Sequence, residues 1–144
     1  MKYDDASWHS GGDFPEDLPP EAGATHTGMF IAWAFLSGLA GDLHKIDFPE
    51  SLQRLKDRSI TPGAFFLAMC DGKFTDEDLS VEGNAFAGDY FDFEKGGYLK
   101  DYESTLGQGV RDGPHAFYYV ADTWDNYDKL RPVLDSRLSE WRSR

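Results

Sequence analysis

The chain has 144 residues, a formal net charge of −12, 15% aromatic residues and one cysteine. That length suits one domain with a sizeable core. The aromatic content excludes an acidic disordered chain, the lone Cys70 excludes an intramolecular disulfide, and the charge opposes binding to nucleic acid or anionic lipid.

Residues 1–23 read as an irregular arm, because Gly11, Gly12, Pro15, Pro19, Pro20 and Gly23 forbid a long helix. Its Tyr3, Trp8, Phe14 and Leu18 need cover, so the arm is expected to wrap the domain. It has neither the basic nor the apolar region of a signal peptide, which makes the cytoplasm the expected location. Gly28 to Gly41 (GMFIAWAFLSGLAG) then carries no charge. As a helix it would span about 21 Å, short of a bilayer core of about 30 Å. The expectation is therefore a buried central helix over about 25–43, capped by Thr25 or Thr27 and ended by Gly41 or Asp42–His44.

Further helices are expected over Pro49–Asp57 and from Thr61-Pro62 to Cys70, where threonine caps and proline takes the first turn. Thr75 and Asp78 have the spacing of an acidic capping box. Helical periodicity resumes over Val81–Phe93 and Tyr98–Leu106. Gly107, Gly109 and Gly113-Pro114 mark a loop, and His115–Val120 (HAFYYV) has the composition of one short extended segment. Asp122 or Thr123 caps a last helix whose face is Tyr127, Leu130, Leu134, Leu138 and Trp141, with a kink or restart expected at Pro132. The fold class is mainly α, a single-domain helical bundle over residues 1–144.

Candidate chemistry is sparse. His9 and His26 could meet Asp4, Asp5 or Asp13 if the arm folds back on the start of the central helix, but no HxH or HxxxH spacing supports this. The sequence therefore assigns no metal ligand, no cofactor and no catalytic residue. Cys70 follows the apolar run FFLAM, where a thiol is normally inert. Asp71–Glu82 imitates a calcium loop, yet Lys73 stands at a ligand position and Asp76 replaces the turn glycine. Gly107-Gln108-Gly109 through Gly113 follows a helix and lacks the Lys-Ser/Thr ending of a phosphate loop. Trp8, His9, Asp13 and His26 remain as a candidate pocket, or as residues that only pin the arm.

The charge is uneven. Residues 1–24 hold −5 and residues 71–105 hold −7, on an otherwise balanced chain. Asp76, Glu77, Asp78, Glu82, Asp89 and Asp92 form a candidate acidic surface for a basic protein partner, as an immunity or antitoxin factor would present. Enzymatic activity is the less favoured reading, and the oligomeric state is open.

Three stretches carry a resemblance: Lys2–Ala34 (KYDDASWHSGGDFPEDLPPEAGATHTGMFIAWA), Cys70–Phe91 (CDGKFTDEDLSVEGNAFAGDYF) and Val120–Trp141. They resemble an uncharacterised family of small acidic bacterial proteins, with Leu43–Ser59 least like its pattern. The resemblance implies a cytoplasmic bacterial protein with a compact helical domain. It brings no activity, cofactor or catalytic residue.

Overall fold

The uncharged block becomes helix α2 (Thr25–Leu36), and every residue of it except Leu36 is buried. The computed structural model describes residues 1–107, 110, 113 and 115–144. Around α2, in chain order, lie strand β1 (Lys2–Asp5), helix α1 (Ala6–His9), a 3-10 turn (Pro20–Ala24), a π-type turn (Leu43–Asp47), and helices α3 (Pro49–Lys56) and α4 (Pro62–Met69). Strand β2 (Lys73–Thr75), a 3-10 turn (Asp76–Asp78), α5 (Val81–Tyr90), α6 (Tyr98–Leu106), a 3-10 turn (Ala116–Tyr119) and α7 (Trp124–Arg142) follow. The fold is mainly α. Among the described residues, no helix is long and apolar enough to cross a membrane.

Several boundaries differ from the expectation, each for a local reason. The central helix stops at Leu36, not near Leu43. Gly38 takes a left-handed φ of +83°, which glycine adopts without strain. The N–H of Leu39 then bonds the Ala34 carbonyl at 2.9 Å and that of Gly38 the Phe35 carbonyl at 3.3 Å, which closes the helix. Neither Thr25 nor Thr27 caps its start, because the preceding 3-10 turn feeds directly into it. His115–Val120 is not extended. An isolated strand leaves its backbone groups unpaired, whereas the turn Ala116–Tyr119 satisfies them locally and buries Phe117 and Tyr118. Helix α7 runs unbroken through Pro132, which lies off its buried face. The loop expected at Gly107, Gly109 and Gly113-Pro114 includes Gln108, Gly109 and Pro114, which lie outside the described residues.

The arm holds a strand that composition did not reveal. β1 pairs antiparallel with β2, matching Lys2 to Thr75, Asp4 to Phe74 and Asp5 to Lys73, with an irregularity at Tyr3. The core above this ribbon is aromatic. The Phe30 ring lies 4.9 Å from Phe91, 5.2 Å from Tyr98, 5.6 Å from Trp33 and 5.8 Å from Phe74, in tilted and edge-on arrangements that suit ring quadrupoles. α2 and α4 approach backbone to backbone, since a Cβ on Gly28 would lie 2.7 Å from Gly63 Cα.

Candidate functional site

The start of α2 meets the arm at a buried polar cluster. Asp5 caps α1 through the Ser7 N–H at 3.0 Å, and the Ala6 N–H bonds the Gly72 carbonyl at 2.7 Å. That single turn of helix carries His9 back over Asp4, at the end of β1. The turn Pro20–Ala24 brings His26 and Thr27 down on the same carboxylate. Gly23 lets the two segments close, since a Cβ there would lie 3.1 Å from His9 Cβ.

Asp4 is fully buried and has several partners. His9 Nε2 lies 2.7 Å from Asp4 Oδ1, the Thr27 hydroxyl donates to Oδ2 at 2.5 Å, and His26 Nε2 stands 3.7 Å from Oδ2, beyond hydrogen-bond reach. On the far side of His9, Nδ1 is 2.7 Å from the Tyr118 hydroxyl, which can donate or accept and so serves either imidazole tautomer. The three prospective ligand atoms of Asp4, His9 and His26 lie within 4.8 Å of one another.

His26 is the unusual member. It is 1% exposed and neither ring nitrogen has a hydrogen-bond partner. Rings surround it instead: His9 at 4.5 Å, Phe117 at 5.0 Å, Phe93 at 5.9 Å and Tyr118 at 6.0 Å. Burial pushes its pKa down to about 3, with Asp4 opposing the shift and His9 adding to it. The ring is therefore neutral near pH 7 and keeps a lone pair free. Burying a polar group without a partner costs about 1–3 kcal/mol, so packing alone does not explain a histidine here.

Of the residues singled out from sequence, His9 and His26 are brought together. Trp8 is 59% exposed, with the Lys2 ammonium 5.4 Å from its ring centre, and Asp13 is exposed. Neither contributes a donor to the converging set. Thr27 and Tyr118 enter the cluster with no local signal in the chain, since only the folded arm and the turn Ala116–Tyr119 bring them to Asp4. Tyr118 also borders a cavity of about 330 Å³ whose walls include Leu18, Ala22, Ala64, Leu67 and Asp122.

The expected acidic surface is largely engaged within the chain. Asp76 pairs with the Met1 amino group at 3.1 Å, Glu82 with Arg142 at 2.7 Å, and Asp89 accepts from Trp141 Nε1 at 2.8 Å. Asp92 accepts the Glu94 and Lys95 N–H groups at 2.8 and 3.0 Å. Glu77 is exposed, at the start of the capped turn. Asp78 is not on the surface: it is 4% exposed, completing the capping box with Thr75 and contacting His44. Cys70 is partly buried, and burial with the nearby Asp78 carboxylate pushes its thiol pKa up, which keeps it protonated.

A family model described as a domain of unknown function, DUF7832, matches residues 2–120. It covers most of the chain but stops short of α7. No curated protein and no solved structure matches the chain significantly.

Proposed function

The chain belongs to the DUF7832 family, whose function is unknown, and we propose from the geometry of its buried cluster that it binds a divalent transition-metal ion through Asp4, His9 and His26. The observation that carries this reading is His26, a neutral, fully buried imidazole with both nitrogens unpartnered beside a fully buried carboxylate. Two imidazoles and one carboxylate are a donor set for zinc or iron(II). Ligand bonds of about 2.0–2.1 Å at tetrahedral angles place donors about 3.3 Å apart. His9 Nε2 and His26 Nε2 lie 2.7 Å and 3.7 Å from the two different oxygens of Asp4, and with all donors within 4.8 Å of one another a shared ion needs the side chains to draw in around one point. The Tyr118 hydroxyl is placed to accept the Nδ1–H of His9 and hold its ring with Nε2 towards the ion, the outer-shell role typical of ligating histidines. Three protein donors leave at least one position for water or a small ligand.

The test is metal analysis of untagged protein, followed by zinc titration calorimetry on the chelator-treated chain and its His26→Phe and Asp4→Asn variants. The expected result is that the wild type binds one equivalent of zinc more than either variant. An absence of binding, or binding that neither variant changes, overturns the reading.

A second reading, an acidic surface for a basic partner of the immunity type, has one supporting arrangement. The pairing of β1 with β2 sets the −5 N-terminal zone beside the −7 zone of residues 71–105. Capture of a basic protein at low ionic strength, released by salt and lost on Glu77→Lys substitution, is its expected signature. Capture indifferent to salt removes it.

A further inference from the structure

A second group of donors meets near the other end of α2 and shares no residue with the first. His44 lies in the turn Leu43–Asp47, Cys70 at the C-cap of α4, and Asp78 in the turn Asp76–Asp78. One ligating atom from each falls within 4.8 Å of the others. His44 is 2% exposed, its Nε2 lies 2.8 Å from Asp78 Oδ1, and its Nδ1 is buried without a hydrogen-bond partner.

Each donor is held by its own local device. The capping box fixes Asp78, whose Oδ2 accepts the Thr75 N–H at 2.8 Å. The Cys70 N–H bonds the Phe66 carbonyl at 3.1 Å, and left-handed Asp71 and Gly72 then turn the chain into β2. The His44 N–H bonds the Gly41 carbonyl at 3.1 Å. Gly41 lies so close to the acidic turn that a Cβ would come 2.9 Å from the Glu77 and Leu79 carbonyl oxygens. Three separately anchored segments thus present a sulfur, a nitrogen and an oxygen to one small interior volume.

We infer that His44, Cys70 and Asp78 form a second metal site, selective for a thiophilic ion of the zinc type. Hard cations such as calcium and magnesium take six or more oxygen donors, which this set does not offer. A thiolate with an imidazole and a carboxylate suits zinc or cobalt(II). On loading, the Cys70 S–H bond breaks, a sulfur–metal bond forms and the proton passes to solvent. The ion offsets the repulsion between a thiolate and a carboxylate held side by side in a poorly hydrated place. The fourth position falls to a water, since the second Asp78 oxygen holds the Thr75 N–H. The site is structural, tying the end of α4 and the acidic turn to the segment after α2.

The probe is cobalt(II), added anaerobically to the full chelator-treated chain under reducing conditions. Cys70 is the only cysteine, so a near-ultraviolet sulfur-to-cobalt charge-transfer band reports this site alone. The expected result is such a band, bleached by zinc, lost in Cys70→Ser and retained in His26→Phe. Zinc should also slow alkylation of the wild-type thiol at least about tenfold, a readout that needs no variant. A wild-type chain saturated with cobalt but showing no charge-transfer band overturns the inference, as does alkylation at a rate indifferent to zinc. Loss of the Asp4–His9–His26 site would appear instead as calorimetric binding unaffected by His26→Phe, with the band intact.

Discussion

Replacing His26 with phenylalanine separates a histidine retained for its lone pairs from one that merely fills space. In the metal-free wild type the ring carries two unpartnered nitrogens inside an aromatic cage. Removing them relieves a cost of about 1–3 kcal/mol, while the larger ring strains its neighbours by a comparable amount. Stability near neutral pH, measured by urea unfolding with chelator present, should therefore change little. Acid behaviour should change more. The folded pKa of about 3 lies below the ordinary imidazole value of about 6.5, so between them the unfolded chain binds a proton that the folded chain does not. Stability from this group is fully present above the unfolded pKa and is lost as pH falls towards the folded one. One proton of difference corresponds to roughly 1–1.5 kcal/mol per pH unit. From about pH 6.5 to about pH 4.5 the wild type should lose roughly 2–3 kcal/mol more than the variant. Parallel pH profiles for the two proteins would refute the reasoning, since they would mean that His26 is hydrated or partnered in solution.

Gly28→Ala should destabilise the fold by about 2–3 kcal/mol in denaturant unfolding, because the new Cβ would stand 2.7 Å from Gly63 Cα and from the Pro62 carbonyl oxygen. Gly88→Ala is the matched control: its Cβ meets nothing within 4 Å, and the helix should gain about 0.5–1 kcal/mol. Asp122→Ala should cost about 1–2 kcal/mol in the same assay, since its carboxylate accepts the Thr61 hydroxyl at 2.6 Å and the Gly63 N–H at 2.8 Å, capping α4 from a distance. With a net charge of −12, the wild type should melt at a higher temperature as ionic strength rises. A falling melting temperature would show that the Arg58–Asp128 and Arg142–Glu82 pairs outweigh the general repulsion.

Elements with a local cause were legible. The burial of Gly28–Phe35 follows from an uncharged block with nowhere else to go, and the Thr75–Asp78 capping box follows from spacing alone. Pro62 and Thr123 mark the starts of α4 and α7 because their preferences act within one turn of the chain. The end of α2 was available too, in Gly38, but the apolar run on either side of it masks a glycine cap that works only through a left-handed φ.

Composition, spacing and capping determined a mainly helical fold around a buried apolar helix, and they put His9 and His26 among the residues worth watching. Tertiary structure alone decided that Asp4, of the three carboxylates offered, joins Thr27 and Tyr118 in completing their cluster, that Trp8 and Asp13 stay outside it, and that Asp78 turns inward to His44. The physical reason is range. Helix propensity and capping act over a few residues, whereas the members of the cluster come from a strand, two helices and a turn up to 109 positions apart, joined only when the aromatic core closes.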